Sequence, residues 1–156
     1  MASRKRRDLV ARIRAIQRAG LREPPRQPVP EADRLPELRD RIPQMLGIIR
    51  GAPLKATEMV YLILYDISDH KVRREVAKYL LGAGCIRIQK SVYLLRSENA
   101  RFEEIHTTLY EVNDAYTNED SIILVPVNAS DVRAMRLIGK NVDIKLVTDP
   151  PNTLFF

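Results

Sequence analysis

The sequence predicts an α/β domain preceded by a basic, proline-rich extension, and three observations support this division. From residue 58 onward, short apolar runs typical of strands alternate with segments whose apolar residues recur at helical spacing. Seven of the ten prolines lie before residue 54. Residues 1–57 hold 14 Lys and Arg against 6 Asp and Glu, a net charge of +8, whereas residues 58–156 carry a net charge of −2. This concentrated positive charge indicates a polyanionic partner such as nucleic acid.

Composition argues against several other classes of protein. One cysteine cannot form an internal disulfide, and no Cys/His cluster has the spacing of a zinc site. Cys85 is therefore expected to be a small buried hydrophobe. No run of about 18 apolar residues occurs, so no membrane span is predicted. The basic N-terminus lacks the apolar stretch of a secretory signal, and a cytoplasmic protein is expected.

The extension contains two helical patterns. Residues 3–19 predict a basic helix capped by Ser3, with a narrow apolar stripe formed by Leu9, Ile13 and Ile16. Residues 23–30 are rich in proline and predict a stiff, extended linker. Helical spacing returns between residues 35 and 49. Because Pro43 lacks a backbone N–H and interrupts this stretch, two short helices are predicted rather than one.

The first half of the domain predicts a strand, a helix and an extended segment. Residues 59–65 form a continuous apolar run, as expected for a strand buried on both faces. Asp69 is placed to cap a helix over residues 70–83. Its inward stripe consists of Val72, Val76, Leu80 and Ala83. Residues 86–95 then alternate as extended structure does.

The second half of the domain continues the alternation. Ser97 is placed to cap a helix whose inward residues are Phe102, Ile105, Leu109 and Val112. Residues 122–127 predict an apolar strand, and Ser130 is placed to cap a short helix that runs through Ile138. Residues 142–146 alternate like a strand that is wet on one face. Residues 153–156 are apolar enough for a final short strand.

Two folds fit this order of elements. One is a small parallel doubly wound sheet. The other is a ferredoxin-like sheet, in which residues 86–95 break near Gln89-Lys90-Ser91 into two strands. No glycine-rich phosphate-binding loop follows the first strand, which weakly disfavours a nucleotide-binding doubly wound fold. Hydrophobic periodicity does not decide between the two.

Asp66, at the end of the first strand, is the main candidate for chemistry. A carboxylate at the end of an apolar strand is partly desolvated and needs a cation, donors or a proton. It could accept N–H groups of its own turn, or it could bind a metal. One carboxylate provides too few ligands for a tight Mg²⁺ site within one chain, but a two-fold axis near Asp66 would bring together two copies.

Other polar residues near Asp66 have structural and functional interpretations. Asp69 fits a helix cap better than a metal ligand, His70 is a minor candidate for a general base, and His106 is expected at the surface. A cluster of cations is either a solvated helix face or a phosphate-binding patch. Its members are Lys71, Arg73, Arg74, Lys78, Arg87 and Lys90. Tyr61, Tyr65 and Tyr93 could stack on bases, although core packing is the favoured role of Tyr61.

Four segments resemble a known family, the small subunit of the CRISPR spacer-acquisition machinery, often described as a metal-dependent endonuclease. The segments, in order, are Tyr65-Asp-Ile-Ser-Asp-His-Lys-Val-Arg-Arg74, Val76-Ala-Lys-Tyr-Leu80, Ile86-Arg-Ile-Gln-Lys-Ser-Val-Tyr93 and Asp120-Ser-Ile-Ile-Leu-Val-Pro-Val127. The resemblance covers residues 58–147. It implies an α+β fold, a ferredoxin-like βαββαβ sandwich with an extra C-terminal strand, in domain 58–156. Residues 1–57 would be a basic, partly helical extension outside the usual pattern.

The resemblance also implies a homodimer and a function. The family's metal-binding aspartate falls on Asp66, so two copies would share one Mg²⁺ that activates water for phosphodiester hydrolysis. The dimer would bridge two dimers of the spacer integrase and support double-stranded DNA. We assign the duplex contacts to Lys71, Arg73, Arg74, Arg87 and Lys90 from their charge and placement. His70 stands where family members often carry an acid, which weakens any second metal ligand.

Two alternative functions remain at this stage. A free-standing, toxin-like endoribonuclease would use the same aspartate on single-stranded RNA. A transcription regulator would use the same domain and bind DNA through the basic extension, although the extension shows no clear helix-turn-helix pattern. The extension itself could bind DNA, dock on the integrase, or wrap the domain.

Overall fold

The architecture is seen in a computed structural model that describes residues 2–18, 35, 38–50, 54–139 and 142–145. In chain order the elements are α1 (Ala2–Arg18), α2 (Leu38–Arg50), β1 (Glu58–Asp66), α3 (His70–Gly82), β2 (Ile86–Gln89), β3 (Val92–Glu98), α4 (Asn99–Asp114), β4 (Ser121–Val127), α5 (Ala129–Ala134), β5 (Arg136–Gly139) and β6 (Val142–Lys145). No helix in these ranges is long and apolar enough to cross a membrane.

A four-stranded antiparallel sheet with the order β2-β3-β1-β4 forms the centre of the domain. The predicted break falls at a turn formed by Lys90 and Ser91, which separates β2 from β3. The βαββαβ order of β1 to β4 with α3 and α4, together with antiparallel pairing, is ferredoxin-like. This confirms the α+β prediction and excludes the parallel doubly wound alternative.

One face of the sheet is closed by α3 and α4. Odd-numbered residues of β1, such as Ile63 and Tyr65, point toward these helices. The predicted inward stripe of α3 is confirmed, because Val72, Val76 and Leu80 are buried. The inward residues of α4 are buried as well, except for half-buried Phe102, which stacks on Tyr61 with 3.9 Å between ring centroids. Close packing of this kind accounts for most of the stabilisation that a small domain can gain.

Helix α1 forms a further layer over α3 and α4. Its residues Leu9, Val10 and Ile13 are buried in the same core cluster, and Ile16 packs at its edge. Arg12 on α1 forms an ion pair with Glu75 on α3, at 3.3 Å. The amphipathic pattern of the extension therefore buries apolar residues against the domain.

Helix α2 lies on the opposite face of the sheet. Met45 is fully buried there against Val60 of β1, Ile88 of β2, Leu94 of β3 and Val132 of α5. Hydrogen bonds hold this helix on the sheet both before and after Pro43. Arg41 donates to the backbone carbonyl of Ile88, and Arg96 of β3 donates to the carbonyl of Ile48 at 3.4 Å. The two helices of the extension thus pack on opposite sides of the domain.

Several local predictions were wrong. Residues 38–50 form one helix that contains Pro43, because packing of the helix on the sheet supports it across the missing backbone hydrogen bond. The helix predicted through Ile138 ends at Ala134, because residue 135 adopts an extended conformation. Residues 136–139 instead pair with residues 142–145 in a hairpin. This pairing joins separated residues and overrides the local helical pattern.

Helix ends also differ from some predictions. Asp69 caps α3 as predicted, and its carboxylate accepts a 2.8 Å hydrogen bond from the Val72 N–H. Ser97 belongs to β3, and Glu98 is the cap position of α4. Ser3 lies inside α1 rather than at its cap, because α1 begins at Ala2. The predicted linker at 23–30 and the final strand at 153–156 lie outside the described residues.

Candidate functional site

Asp66 is the last residue of β1, where it pairs with Ser121 of β4. Its side chain is exposed. It shares strand parity with Leu62 and Leu64, so it belongs to the face of the sheet opposite α3 and α4. The apolar run of β1 ends here because the chain turns into the loop before α3. The structure therefore places the carboxylate at the end of the strand, as the sequence predicted, but the side chain is exposed and the expected partial desolvation was wrong.

The loop after Asp66 is held by contacts that the sequence did not reveal. The Asp120 carboxylate accepts a 2.9 Å hydrogen bond from the Ser68 N–H and a second from the Tyr116 hydroxyl. Burial, followed by this hydrogen bond to Asp120, raises the pKa of Tyr116, so its hydroxyl stays a donor at neutral pH. Ser68 and Asp120 are 52 residues apart, and the sequence contains no local signal for their contact. The network fixes the backbone two residues beyond Asp66.

An uncovered apolar surface lies beside Asp66 on the same face. We call it the open strip, and its residues are Leu62, Leu64, Val92, Ile123 and Val125. Ile123 is 55% exposed and Val125 is 37% exposed, whereas the other three are half-buried. In the antiparallel register, Leu64 lies opposite Ile123 and Leu62 opposite Val125. Helix α2 covers the neighbouring part of this face, and Leu62 and Val92 pack against the cluster around Met45 of α2. The accessible part of the open strip is therefore centred on Ile123 and Val125.

Three of the predicted phosphate-binding cations lie in the first turns of α3. Lys71, Arg73 and Arg74 are each half-buried. Arg73 is partly engaged, since its guanidinium lies 3.0 Å from the His70 ring nitrogen Nδ1 and 3.4 Å from the carbonyl oxygen of Ile67. His70 is exposed. Because α3 begins four residues after Asp66, these cations lie at the same end of the sheet, on a helix that packs against the face opposite the Asp66 side chain.

The other two predicted cations lie at the β2–β3 turn. Tyr65 donates its N–H to the carbonyl of Ser91 at 3.0 Å, so this turn is at the Asp66 end of the sheet too. Lys90 is exposed. Arg87 is buried, donates to the Lys90 carbonyl at 2.7 Å, and lies over the Tyr93 ring. Arg87 therefore shapes the turn and is the least accessible of the five cations.

Other candidate residues are part of the core. Tyr61, Tyr65 and Tyr93 are buried, and the hydroxyls of the last two lie 3.2 Å apart, so none presents a free face for base stacking. Cys85 is buried as predicted, and burial raises the pKa of its thiol to about 12. The thiol is therefore protonated at neutral pH and is not an activated nucleophile. His106 is exposed, as expected.

The residues of one chain do not complete a metal site. Within the described ranges, no group of three or more His, Cys, Asp and Glu side chains converges on one point. Mg²⁺ usually keeps several waters and binds through one or two carboxylates. Asp66 supplies one exposed carboxylate, so the donor set fits Mg²⁺ if a second copy contributes its own Asp66.

Taken together, these features define a small ferredoxin-like domain with an accessible acid at one sheet end, flanked by cations. The family model described as "CRISPR associated protein Cas2" matches residues 59–135. A relative named CRISPR-associated endoribonuclease Cas2, from Aeropyrum pernix, is 33% identical over 86 residues, which cover 54% of this chain and 91% of the relative. A protein of the same name from Korarchaeum cryptofilum is 30% identical over 92 residues, 59% of this chain and 91% of the relative. The chain belongs to the Cas2 family.

Proposed function

We propose that this chain acts as a symmetric dimer in CRISPR spacer acquisition, where it bridges spacer-integrase dimers and binds double-stranded DNA. We further propose that paired Asp66 residues give the dimer a Mg²⁺-dependent endonuclease activity. The observation that carries the proposal is the position of the open strip directly beside Asp66. A second copy that covers the open strip would bring the two carboxylates toward one axis.

The open strip supports a dimer on physical grounds. Edge strands with exposed apolar side chains are sites of association unless charge or another element covers them. Ile123 and Val125 lie on the edge strand β4, and the strip contains no charged residue. A two-fold interface uses the same patch on both copies, which suits a strip that ends at Asp66.

Within such a dimer, two Asp66 carboxylates would hold one Mg²⁺. A bound Mg²⁺ supplies an activated water and stabilises charge on a scissile phosphate. The residues of the chain would provide the remaining functions. The Asp120 network would keep the Asp66 loop in place, and Lys71, Arg73, Arg74 and Lys90 would contact nucleic-acid phosphates. Arg87 would act mainly by supporting the turn that carries Lys90.

A second candidate function is endoribonuclease activity on single-stranded RNA, independent of the integrase. The relatives from Aeropyrum pernix and Korarchaeum cryptofilum both carry endoribonuclease in their names. Asp66 and its metal would serve this function equally well. The third candidate, a transcription regulator, is weaker, because α1 and α2 pack on opposite faces of the domain and do not form a helix-turn-helix unit.

Association with the integrase provides the first test. The full chain and its spacer integrase should co-elute as one complex at low salt, and the complex should insert a short duplex into repeat DNA. Failure to associate under these conditions would exclude the bridging role.

The Asp66→Asn variant separates the candidate functions. It should abolish Mg²⁺-dependent cleavage of labelled RNA and DNA while integration in the reconstituted complex continues. Asp114→Asn is a matched control, since Asp114 is an exposed acid at the end of α4, away from Asp66. If integration is lost with Asp66→Asn but not with the control, catalysis is part of the adaptation role. Cleavage by Asp66→Asn at the normal rate would show that Asp66 is not catalytic.

A further inference from the structure

Helix α2 covers part of the sheet face that carries Asp66 and the open strip, which we call the dimer face. The helix lies outside residues 59–135, which match the family model, so the matched domain by itself lacks this cover. Arg41, Met45 and Ile48 recur at helical spacing on the side of α2 that contacts the sheet. The helix therefore occupies area on the face where the proposed second copy would bind.

The apolar surface beneath α2 is continuous with the open strip. In the antiparallel register, Leu94 of β3 lies directly opposite Leu62 of β1, which in turn lies opposite Val125 of β4. Leu94 is fully buried in the cluster around Met45, whereas Val125 is 37% exposed. This row of apolar residues thus runs from the covered to the uncovered part of the face. The position of α2, rather than a change in the chemistry of the sheet, sets the limit of the open strip.

The uncovered part of the dimer face is too small for a stable dimer. Its accessible apolar residues are centred on Ile123 and Val125. Stable interfaces bury about 800 Å² per partner and use about 20 residues or more on each side. Val60, Ile88 and Leu94 lie in the cluster beneath α2 and would add three apolar side chains to the same surface. A second copy therefore needs the area that α2 occupies.

Several features of α2 weaken its attachment to the sheet. The helix contains Pro43 and Gly47, which belong to the two residue types of lowest helix propensity, and a helix of 13 residues is marginal in water without tertiary contacts. Arg41 is buried and donates to the Ile88 carbonyl, but its Nε has no hydrogen-bond partner among the described residues. A buried polar group without a partner opposes docking. The balance of these contributions suits an element that can leave the sheet while the rest of the domain stays folded.

We propose that α2 is a displaceable cover of the dimer face, which a second copy of this chain replaces when the dimer forms. The inference rests on the proposed function, because it concerns the same symmetric dimer. In the monomer, Met45 packs on Val60, Ile88 and Leu94. In the dimer, apolar residues of the second copy take its place, and the released surface joins the open strip in one interface. Both chains must release α2, so the apparent association constant scales with the square of the undocked fraction.

Two full-length variants change the docking of α2 in opposite directions. Met45→Ala removes the buried contact and should strengthen dimerisation at least about tenfold, because α2 leaves the sheet more readily. Gly47→Ala adds a methyl group in open space on the exposed side of α2. It stabilises the docked helix and should weaken dimerisation about threefold or more. Sedimentation equilibrium measures the dimerisation constants, and circular dichroism checks the fold.

Two matched controls place similar substitutions away from the dimer face. Val112→Ala leaves a cavity in the core on the closed face of the sheet, as Met45→Ala does beneath α2. Gly82→Ala adds a methyl group in open space at the last residue of α3. Both should change stability while the dimerisation constant stays nearly unchanged. Controls that shift this constant as much as the α2 variants would overturn the inference, because general stability would then explain the effect.

Hydrogen exchange of the wild-type chain at low and high protein concentration follows α2 directly. As the dimer population rises, the α2 amides should exchange faster, whereas those of β2 and β3 should stay protected. Dimerisation with α2 still protected, or weaker dimerisation of Met45→Ala, would overturn the inference and leave the proposed dimer standing. A chain that stays monomeric both as wild type and as Met45→Ala would contradict the proposed function, together with the inference that depends on it.

Discussion

The two faces of the central sheet differ in how completely they are covered. On one face, α3 and α4 bury β1 residues such as Ile63 and Tyr65, and α1 adds a further layer. On the other face, α2 buries Val60 and Leu94, while Ile123 and Val125 stay exposed beside Asp66. The buried apolar residues of the first face stabilise the fold, whereas an exposed apolar surface next to a carboxylate is typical of an interaction site. The first face therefore holds most of the core, and the proposed dimer and shared metal site use the uncovered part of the second.

The largest expected effect comes from the closed face. Ile63→Ala should lower the free energy of unfolding by about 3 kcal/mol, because it leaves a cavity in a close-packed core. Ile123→Ala, on the same sheet but exposed, should change monomer stability by less than about 0.5 kcal/mol. Urea denaturation of both variants at low protein concentration measures the difference. Similar losses would show that the two faces contribute equally to folding.

A core substitution on the covered part of the second face should lower stability less than a core substitution on the closed face. Met45→Ala removes the fully buried anchor of α2, and we expect a loss of about 2 kcal/mol in the stability of the α2 contact. Hydrogen exchange should accelerate in α2 and leave α3 and α4 nearly unchanged. Exchange that rises equally in all three helices would mean that α2 and the core unfold as one unit.

The open strip should affect association rather than folding. Ile123→Glu places a charge at the most exposed position of the strip and should weaken dimerisation at least tenfold, or about 1.4 kcal/mol. Sedimentation measures the dimer fraction, and circular dichroism checks the fold. Tyr110→Glu is the control, because Tyr110 is 67% exposed on α4, away from the strip. Equal dimer populations in the two variants would place the interface elsewhere.

The smallest effect concerns the pH dependence of α2 docking. Hydrogen bonds from Arg96 lower the pKa of Glu58, and the same guanidinium donates to the Ile48 carbonyl of α2. A carboxyl with a lowered folded pKa stabilises the protein above its unfolded pKa, and this contribution is lost as pH falls through the folded pKa. Stability should therefore fall below about pH 4.5, the ordinary Glu range. Glu58→Gln should show a shallower decline in thermal melts, and an unchanged decline would refute this linkage.

Local sequence patterns were sufficient for the elements whose stabilisation is local or periodic. The Asp69 cap formed as predicted, as did the stripes of α3 and α4 apart from half-buried Phe102, and the chain breaks between β2 and β3 as the ferredoxin-like fold requires. The apolar run of β1 also forms a strand, but the prediction that it is buried on both faces was wrong, because Leu62 and Leu64 are only half-buried. Sequence patterns failed where contacts between residues far apart in the sequence determine the local structure. Packing on the sheet carries α2 through Pro43, and hairpin pairing converts residues 136–138 from predicted helix to strand.

The candidate site was partly predictable for the same reason. The position of Asp66 follows from the end of an apolar run, which is a local signal. The face of the sheet that carries Asp66 is partly uncovered because of where α2 docks. Strand periodicity gives no information about the position of α2. The contact of Asp120 with Ser68 and the burial of Arg87 likewise depend on residues brought together by the fold.

The stoichiometry of metal binding tests the central claim most directly. Titration calorimetry with Mg²⁺, repeated with Mn²⁺, should give one ion per two chains for the wild-type protein. Asp66→Asn should abolish binding while the protein stays dimeric, and Ile123→Glu should weaken Mg²⁺ binding and dimerisation together. One ion per chain, or binding that survives Asp66→Asn, would contradict the assignment of the open strip and Asp66 to a shared metal site.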